Sequence, residues 1–158
     1  MKPHPFHLNK WQHWLALGFG SGLAPKAPGT FGTLAALPLV WLLAMLPLGW
    51  SAALIVAGAV LGVYLCDHVS RDIGAKDHGA IVWDEIVGFA ITLWAVPVSI
   101  QNVLVAFVLF RLLDIAKPWP IRWFDRNLQG GLGVMMDDIV AGVLACLLLH
   151  SVWLPLQL

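Results

Sequence analysis

The chain has 158 residues, of which 59% are hydrophobic and 11% are charged, and its formal net charge at pH 7 is +0. Soluble domains are about 45–50% apolar and about 25% charged, so this composition indicates an integral membrane protein with one domain over residues 1–158. The balanced charge gives no basic surface for nucleic acid, and Cys66 and Cys146 lie in apolar runs that disfavour a disulfide framework.

Three stretches without Asp, Glu, Lys or Arg define the membrane helices in chain order. The first, Ala27–Cys66, can hold two spans of about 20 residues each, with a turn at Leu46–Ser51 where Pro and Gly interrupt the pattern. The second, Ile86–Phe110, contains turn residues at Pro97–Asn102, and the third, Ile139–Leu158, fits one span. The sequence therefore predicts an all-α polytopic membrane helix bundle with about five membrane helices, at residues 31–48, 51–66, 82–98, 102–116 and 136–154.

The charged residues then fall on one side of the bundle. They precede the first helix, or lie between the second and third, or between the fourth and fifth. Because Lys and Arg are retained on the cytoplasmic side, we expect a cytoplasmic N-terminus and an outer C-terminus. Gly58 and Gly62 form a G-x-x-x-G pattern in the second helix, which favours close packing within the chain; a homodimer is the alternative.

Three similar fragments mark the cytoplasmic ends of the last three helices: DEIVG at 84–88, LDIAK at 113–117 and DDIVAG at 137–142. Gly88 and Gly142 each follow an acid by four residues, on the same helical face, and would let neighbouring helices approach beside the acids. The fragments place five carboxylates at a similar depth, on Asp84, Glu85, Asp114, Asp137 and Asp138.

Two interpretations of this acidic cluster stay open. Hard oxygen ligands at this density suit Mg²⁺ or Mn²⁺, which keep several waters and bind a substrate phosphate. The alternative is that each acid is neutralised by a nearby base: Arg111 with Asp114, and Arg122 or Arg126 with the Asp137–Asp138 pair.

Candidate phosphate ligands lie near the same predicted membrane depth as the acidic cluster. FRLLDIAKPWPI, at 110–121, places Arg111, Asp114 and Lys117 three residues apart on one helical face, which suits a phosphate next to a metal. GFGSGLAPKAPGTFGT, at 18–33, is rich in glycine, so its N–H groups could converge on an anion while Thr30 or Thr33 caps the next helix. An ordinary capped loop is the alternative.

Four motifs in order, GFGSGLAP..PGTFGT, DHGAIVWDEIVGF, FRLLDIAKPWPIRWFDR and GGLGVMMDDIVAG, resemble the bacterial phosphatidylglycerophosphatase A family. The resemblance implies an all-helical, multi-pass protein of the bacterial inner membrane with its active site facing the cytoplasm. It also implies Mg²⁺-dependent hydrolysis of the lipid phosphatidylglycerophosphate to phosphatidylglycerol and phosphate.

The resemblance places the family's motifs on these positions but does not settle which acid binds metal or transfers protons, so the following roles are a hypothesis from the residue types. Asp84, Glu85, Asp137 and Asp138 are expected to hold Mg²⁺, and Asp114 to be a further ligand or the base. Among these, the catalytic residues are expected to be Asp84, Asp114 and Asp138. The expected substrate-binding residues are Thr30, Thr33, Arg111 and Lys117.

A small membrane cation carrier is the alternative function, because acids within a membrane often line ion paths. Against it, the acids gather at one end of the predicted bundle, and no charged residue continues the path to the outer side.

Overall fold

The computed structural model describes residues 5–75 and 78–157, and residues 1–4, 76, 77 and 158 of the predicted domain lie outside the described part. Within these ranges the chain is helical and contains no strand, which confirms the all-α prediction. The helices are α1 Trp11–Ala16, α2 Pro28–Ala35, α3 Leu37–Ala44, α4 Leu48–Ile73, α5 Trp83–Thr92, α6 Ile100–Ala116, α7 Ile121–Asn127 and α8 Gly130–Leu148. A π-helical turn, Leu149–Trp153, continues α8.

The helix predicted at 31–48 is wrong as a single element. It is divided into α2 and α3, because Pro38, in the first turn of α3, has no N–H to continue the ladder of hydrogen bonds. The helix predicted at 82–98 is too long. Its counterpart α5 ends at Thr92, and the chain then turns through Ala95, whose φ of 61° is incompatible with an α-helix.

The other three predicted helices are present with different bounds. The helix predicted at 51–66 corresponds to α4, which continues to Ile73 and ends at Gly74 in the left-handed conformation. The helix predicted at 102–116 begins at Ile100, where the Ser99 side chain accepts a hydrogen bond from the backbone N–H of Asn102. The helix predicted at 136–154 begins earlier, at Gly130, and changes to the π-helical turn at Leu149.

Helix α8 is the centre of the fold and contacts α4, α5, α6 and α7. Its crossing with α5 depends on two glycines, since a Cβ on Gly142 would lie 2.4 Å from the carbonyl oxygen of Gly88. No side chain fits at that separation, so the glycines let the two backbones touch. The prediction that Gly88 and Gly142 permit a close approach beside the acids is confirmed.

The G-x-x-x-G of α4 also packs within the chain. A Cβ on Gly62 would lie 2.5 Å from Met135 Sδ of α8, and the carbonyl oxygen of Gly58 accepts a hydrogen bond of 3.0 Å from Trp83 Nε1. These contacts support intrachain packing, and the homodimer stays a prediction.

Two described helical segments, Leu48–Ile73 and Gly130–Gln157, are long and apolar enough to cross a membrane. Apolar side chains on the outside of the bundle include Trp41 at 63% exposure, Val56 at 62% and Leu104 at 60%. Among the described residues, two of the five predicted membrane helices therefore correspond to segments of sufficient length and apolarity. The total of five and the orientation of the N-terminus stay predictions.

Candidate active site

Three carboxylates meet where α5 crosses α8. Asp84 and Glu85 occupy the first turn of α5, and Asp138 lies in the middle of α8. One oxygen atom from each lies within 4.8 Å of the other two. Asp84 is 7% exposed and Asp138 is 3% exposed, so the group, called here the acidic trio, is largely shielded from solvent.

The residues before α5 pack against the end of α1, the segment that follows it, and α2. The backbone N–H of Val82 donates a 2.8 Å hydrogen bond to the carbonyl oxygen of Ala16. A Cβ on Gly22 would lie 2.0 Å from the carbonyl oxygen of Ala80, and one on Gly32 would lie 2.5 Å from Val82 Cβ. These glycines therefore serve close packing against residues 80–82, which places Asp84 and Glu85 opposite α8.

The residues of the acidic trio fit a divalent cation. Three carboxylates that converge in a shielded site repel one another unless a cation balances them. Glu85 Oε2 is buried and has no hydrogen-bond partner in the described part of the chain, so it has a free lone pair for a metal. An all-oxygen donor set suits Mg²⁺ or Mn²⁺ rather than zinc.

Arg111 and Asp114 of α6 form a second charged pair beside the trio. Arg111 Nη1 lies 2.5 Å from Asp114 Oδ2 and 3.9 Å from Glu85 Oε1. The pairing at i+3 that the sequence allowed is therefore present. Arg111 Nε is buried and has no acceptor among residues 5–75 and 78–157, which leaves a cationic donor available to an anion next to the trio.

The N-terminus of α2 abuts the same group. A Cβ on Gly29 would lie 2.3 Å from Glu85 Oε1 and 3.0 Å from Arg111 Nη1. Thr30, in the first turn, is half-buried, whereas Thr33 is fully buried and its hydroxyl donates to the carbonyl oxygen of Gly29 at 2.8 Å. Of the two predicted substrate ligands, Thr33 thus has its hydroxyl hydrogen engaged within the helix.

Asp137 lies outside the trio although it precedes Asp138 in the chain. Its Oδ2 is 2.6 Å from Lys117 Nζ, and that ammonium is also 2.5 Å from Asp125 Oδ1. The pairing considered from the sequence, with Arg122 or Arg126, is replaced by this Lys117 bridge. The structure therefore brings seven of the predicted site residues into two groups. Asp84, Glu85, Asp138, Arg111 and Asp114 form the first, and Asp137 and Lys117 form the second.

Residues 14–153 match the family model described as phosphatidylglycerophosphatase A. This chain belongs to that family. It is 52% identical over 145 residues to the phosphatidylglycerophosphatase A of Escherichia coli, which covers 91% of this chain and 84% of that protein. The corresponding Haemophilus influenzae protein is 48% identical over 142 residues, with 89% and 87% covered.

A further relative carries a different name. A Bacteroides thetaiotaomicron protein, provisionally named a phosphatidylinositol-3-phosphatase, is 41% identical over 144 residues, covering 85% of this chain and 89% of that protein. No solved structure matches the chain. The resemblance read from the four motifs is confirmed, and the chain is a phosphatase.

One charged residue of this phosphatase was missed by the sequence reasoning. Asp125 of α7 is eight residues from Lys117, and the helix break between them hides their contact. Burial lowers the pKa of Lys117, but the hydrogen bonds that its ammonium donates to Asp125 and Asp137 raise the pKa by more, so the net shift is upward. Lys117 therefore stays a cation at neutral pH.

Proposed function

We propose that this chain hydrolyses phosphatidylglycerophosphate to phosphatidylglycerol and inorganic phosphate, with Mg²⁺ as cofactor, at the cytoplasmic face of a bacterial inner membrane. The observation that carries the proposal is the buried trio of Asp84, Glu85 and Asp138 next to Arg111. The names of the Escherichia coli and Haemophilus influenzae relatives support the substrate.

We assign Asp84, Glu85 and Asp138 as the residues that would hold Mg²⁺. A divalent cation bound there neutralises charge on the phosphate and makes a water molecule more acidic. Asp137 was also expected to be a ligand. Its Oδ2 faces Lys117, so we assign it to the substrate side of the site instead.

The cationic side chains bind and orient the phosphate in this proposal. Arg111 has its buried Nε free of an acceptor within the described residues, and its Nη1 is anchored by Asp114. A guanidinium fixed in this way can donate to a phosphate oxygen without rearranging. Lys117 supplies a second positive charge, one helical turn from Asp114.

Asp114, fixed by its ion pair with Arg111, is the carboxylate that we assign as proton acceptor. A water oxygen attacks phosphorus as one water proton passes to the acceptor. The bond between phosphorus and the glycerol oxygen breaks, and that oxygen leaves as an alcohol after taking up the proton that Asp114 accepted from water. Inorganic phosphate and the lipid alcohol are the two products.

The membrane setting is supported by α4 and α8, which are long enough to span, and by the exposed apolar side chains of the bundle. Helix α5 has 10 residues and rises only about 15 Å, against a hydrocarbon core of about 30 Å. The acids at its start therefore lie below the headgroup plane, or the bilayer thins around them. Lys and Arg on the side of the acids favour a cytoplasmic active site.

The test is phosphate release by the purified protein from phosphatidylglycerophosphate in detergent micelles, with Mg²⁺ and with a chelator in excess. We expect release with Mg²⁺ and none with the chelator. Undiminished release after chelation would overturn the metal dependence. Release from phosphatidylinositol 3-phosphate but not from phosphatidylglycerophosphate would overturn the substrate.

The cation carrier is not favoured, because the relatives are named as phosphatases. Cation flux into liposomes without phosphate release from either lipid would revive it.

A further inference from the structure

A cavity of about 480 Å³ lies between the end of α4 and the start of α8. It has no counterpart in the sequence reasoning, and we call it the α4–α8 cavity. Its polar lining consists of Asp67, Ser70, Arg71, Asp125, Gln129 and Asp137.

The α4–α8 cavity adjoins the acidic trio. Asp137 lines the cavity, and Asp138, the next residue of α8, belongs to the trio. Successive Cα atoms are about 3.8 Å apart. The lining of the cavity and the acidic trio therefore include consecutive residues of α8.

Most charges around the cavity are already paired. Arg71 Nη2 lies 2.7 Å from Asp67 Oδ2, and Lys117 Nζ bridges Asp125 and Asp137. Three carboxylates face these two cations, so the excess charge is negative. A second phosphate is a poor occupant of such a lining, because like charges repel.

Two polar atoms of the lining residues are left without a hydrogen-bond partner in the described ranges, Ser70 Oγ and Asp137 Oδ1. Asp137 is 8% exposed, so an unpartnered oxygen on it is costly unless a ligand supplies a donor. A neutral hydroxyl can donate to a carboxylate oxygen and accept from a serine hydroxyl at once.

We propose that the α4–α8 cavity binds the hydroxyl-bearing alcohol part of the phosphate monoester, with Ser70 and Asp137 as its hydrogen-bonding partners. In phosphatidylglycerophosphate this part is the headgroup glycerol, whose free hydroxyl lies between the two phosphates. This inference rests on the proposed function, and it identifies Ser70 as a specificity-determining residue on a helix that carries no member of the trio.

The test compares two substrates in detergent micelles with Mg²⁺: phosphatidylglycerophosphate, and the analogue in which hydrogen replaces the free glycerol hydroxyl. Sites built to hydrogen-bond a hydroxyl reject the analogue without it, and one lost hydrogen bond changes kcat/KM by roughly tenfold or more. We expect the wild-type protein to prefer the natural lipid by that ratio. Ser70→Ala should bring the ratio close to one by slowing the natural lipid alone, and Ser70→Thr should restore it.

Ser51→Ala is the matched control, because Ser51 lies on the same helix and its hydroxyl already donates to the carbonyl oxygen of Leu48. It should keep the wild-type preference. Ser70→Cys replaces S70A in the comparison if the alanine variant does not fold.

The outcomes separate the two proposals. Equal rates on both substrates by an active wild-type protein, or an equal loss on both in S70A, would overturn the alcohol site alone. No release from either substrate by the wild-type protein would overturn the proposed function, and the alcohol site with it.

Discussion

The two acid pairs of this molecule look alike in sequence and differ in what they contact. Asp84 and Glu85 lie in the first turn of α5, and both contribute an oxygen to the trio. Asp137 and Asp138 lie in the middle of α8, where neighbouring residues point about 100° apart. Asp138 is part of the trio, and Asp137 forms an ion pair with Lys117. A shared motif therefore does not imply a shared role.

The largest effect is expected from Asp84→Asn. The amide keeps the shape but removes a negative charge from the proposed metal site, so phosphate release should fall by roughly 10²–10³-fold or more. Asp72→Asn, which alters a carboxylate that pairs with Lys10 and lies outside both the trio and the α4–α8 cavity, should retain most of the activity. Full activity of D84N in a correctly folded protein would remove this residue from the site.

The two acids of the second pair, Asp137 and Asp138, are expected to differ in their effect on the Mg²⁺ requirement. Asp138→Asn should raise the Mg²⁺ concentration needed for half-maximal activity as well as lower kcat. Asp137→Asn should lower activity by roughly tenfold, because Lys117 loses a charged partner, with the Mg²⁺ requirement unchanged. Titrating both variants with Mg²⁺ checks this. A larger Mg²⁺ requirement in D137N would place Asp137 among the ligands, as the sequence first indicated.

Gly142→Ala tests whether the close crossing of α5 and α8 brings the acids of these two helices together. The new Cβ would lie 2.4 Å from the carbonyl oxygen of Gly88, so the helices must separate. Such overpacking costs about 1–3 kcal/mol, and activity should fall because Asp138 moves away from Asp84. Gly58→Ala is the control, since its Cβ would meet only Val87 Cγ2 at 3.7 Å. Thermal unfolding in detergent should show a lower Tm for G142A than for G58A.

The smallest effect is expected from Asp125→Asn. Lys117 loses one carboxylate and keeps Asp137 at 2.6 Å, so activity should change by only a few-fold. Measuring kcat and KM separately shows whether the change lies in substrate binding. A loss as large as that of D84N would mean that Asp125 acts directly in the reaction.

Much of the site follows from local sequence patterns. The acid pair at the start of α5, the glycines four residues after Asp84 and Asp138, and the Arg111–Asp114 pair at i+3 all depend on helical spacing, and each is present. The prediction that Asp137 and Asp138 also begin a helix is wrong, because α8 starts at Gly130. Spacing within one helix is fixed by its geometry, so a sequence alone can specify it.

The remainder depends on how separate segments meet. The contact of Lys117 with Asp125 requires the turn between α6 and α7, and the packing of Gly22 against Ala80 joins segments far apart in the chain. Such contacts are not visible in the sequence. The glycine-rich segment was interpreted as an anion-binding loop, whereas several of its glycines permit close packing against residues near the start of α5. Pro38 is a local signal for the break between α2 and α3, and the prediction of one helix at 31–48 did not take it into account.

Binding of Mn²⁺ to the purified protein, measured by calorimetry without substrate, tests most directly whether the trio is the metal site. The wild-type protein and D137N should bind Mn²⁺ with similar affinity, and D84N and D138N should bind it at least tenfold more weakly. Equal binding by all four proteins, or loss in D137N alone, would contradict the assignment of the metal to Asp84, Glu85 and Asp138.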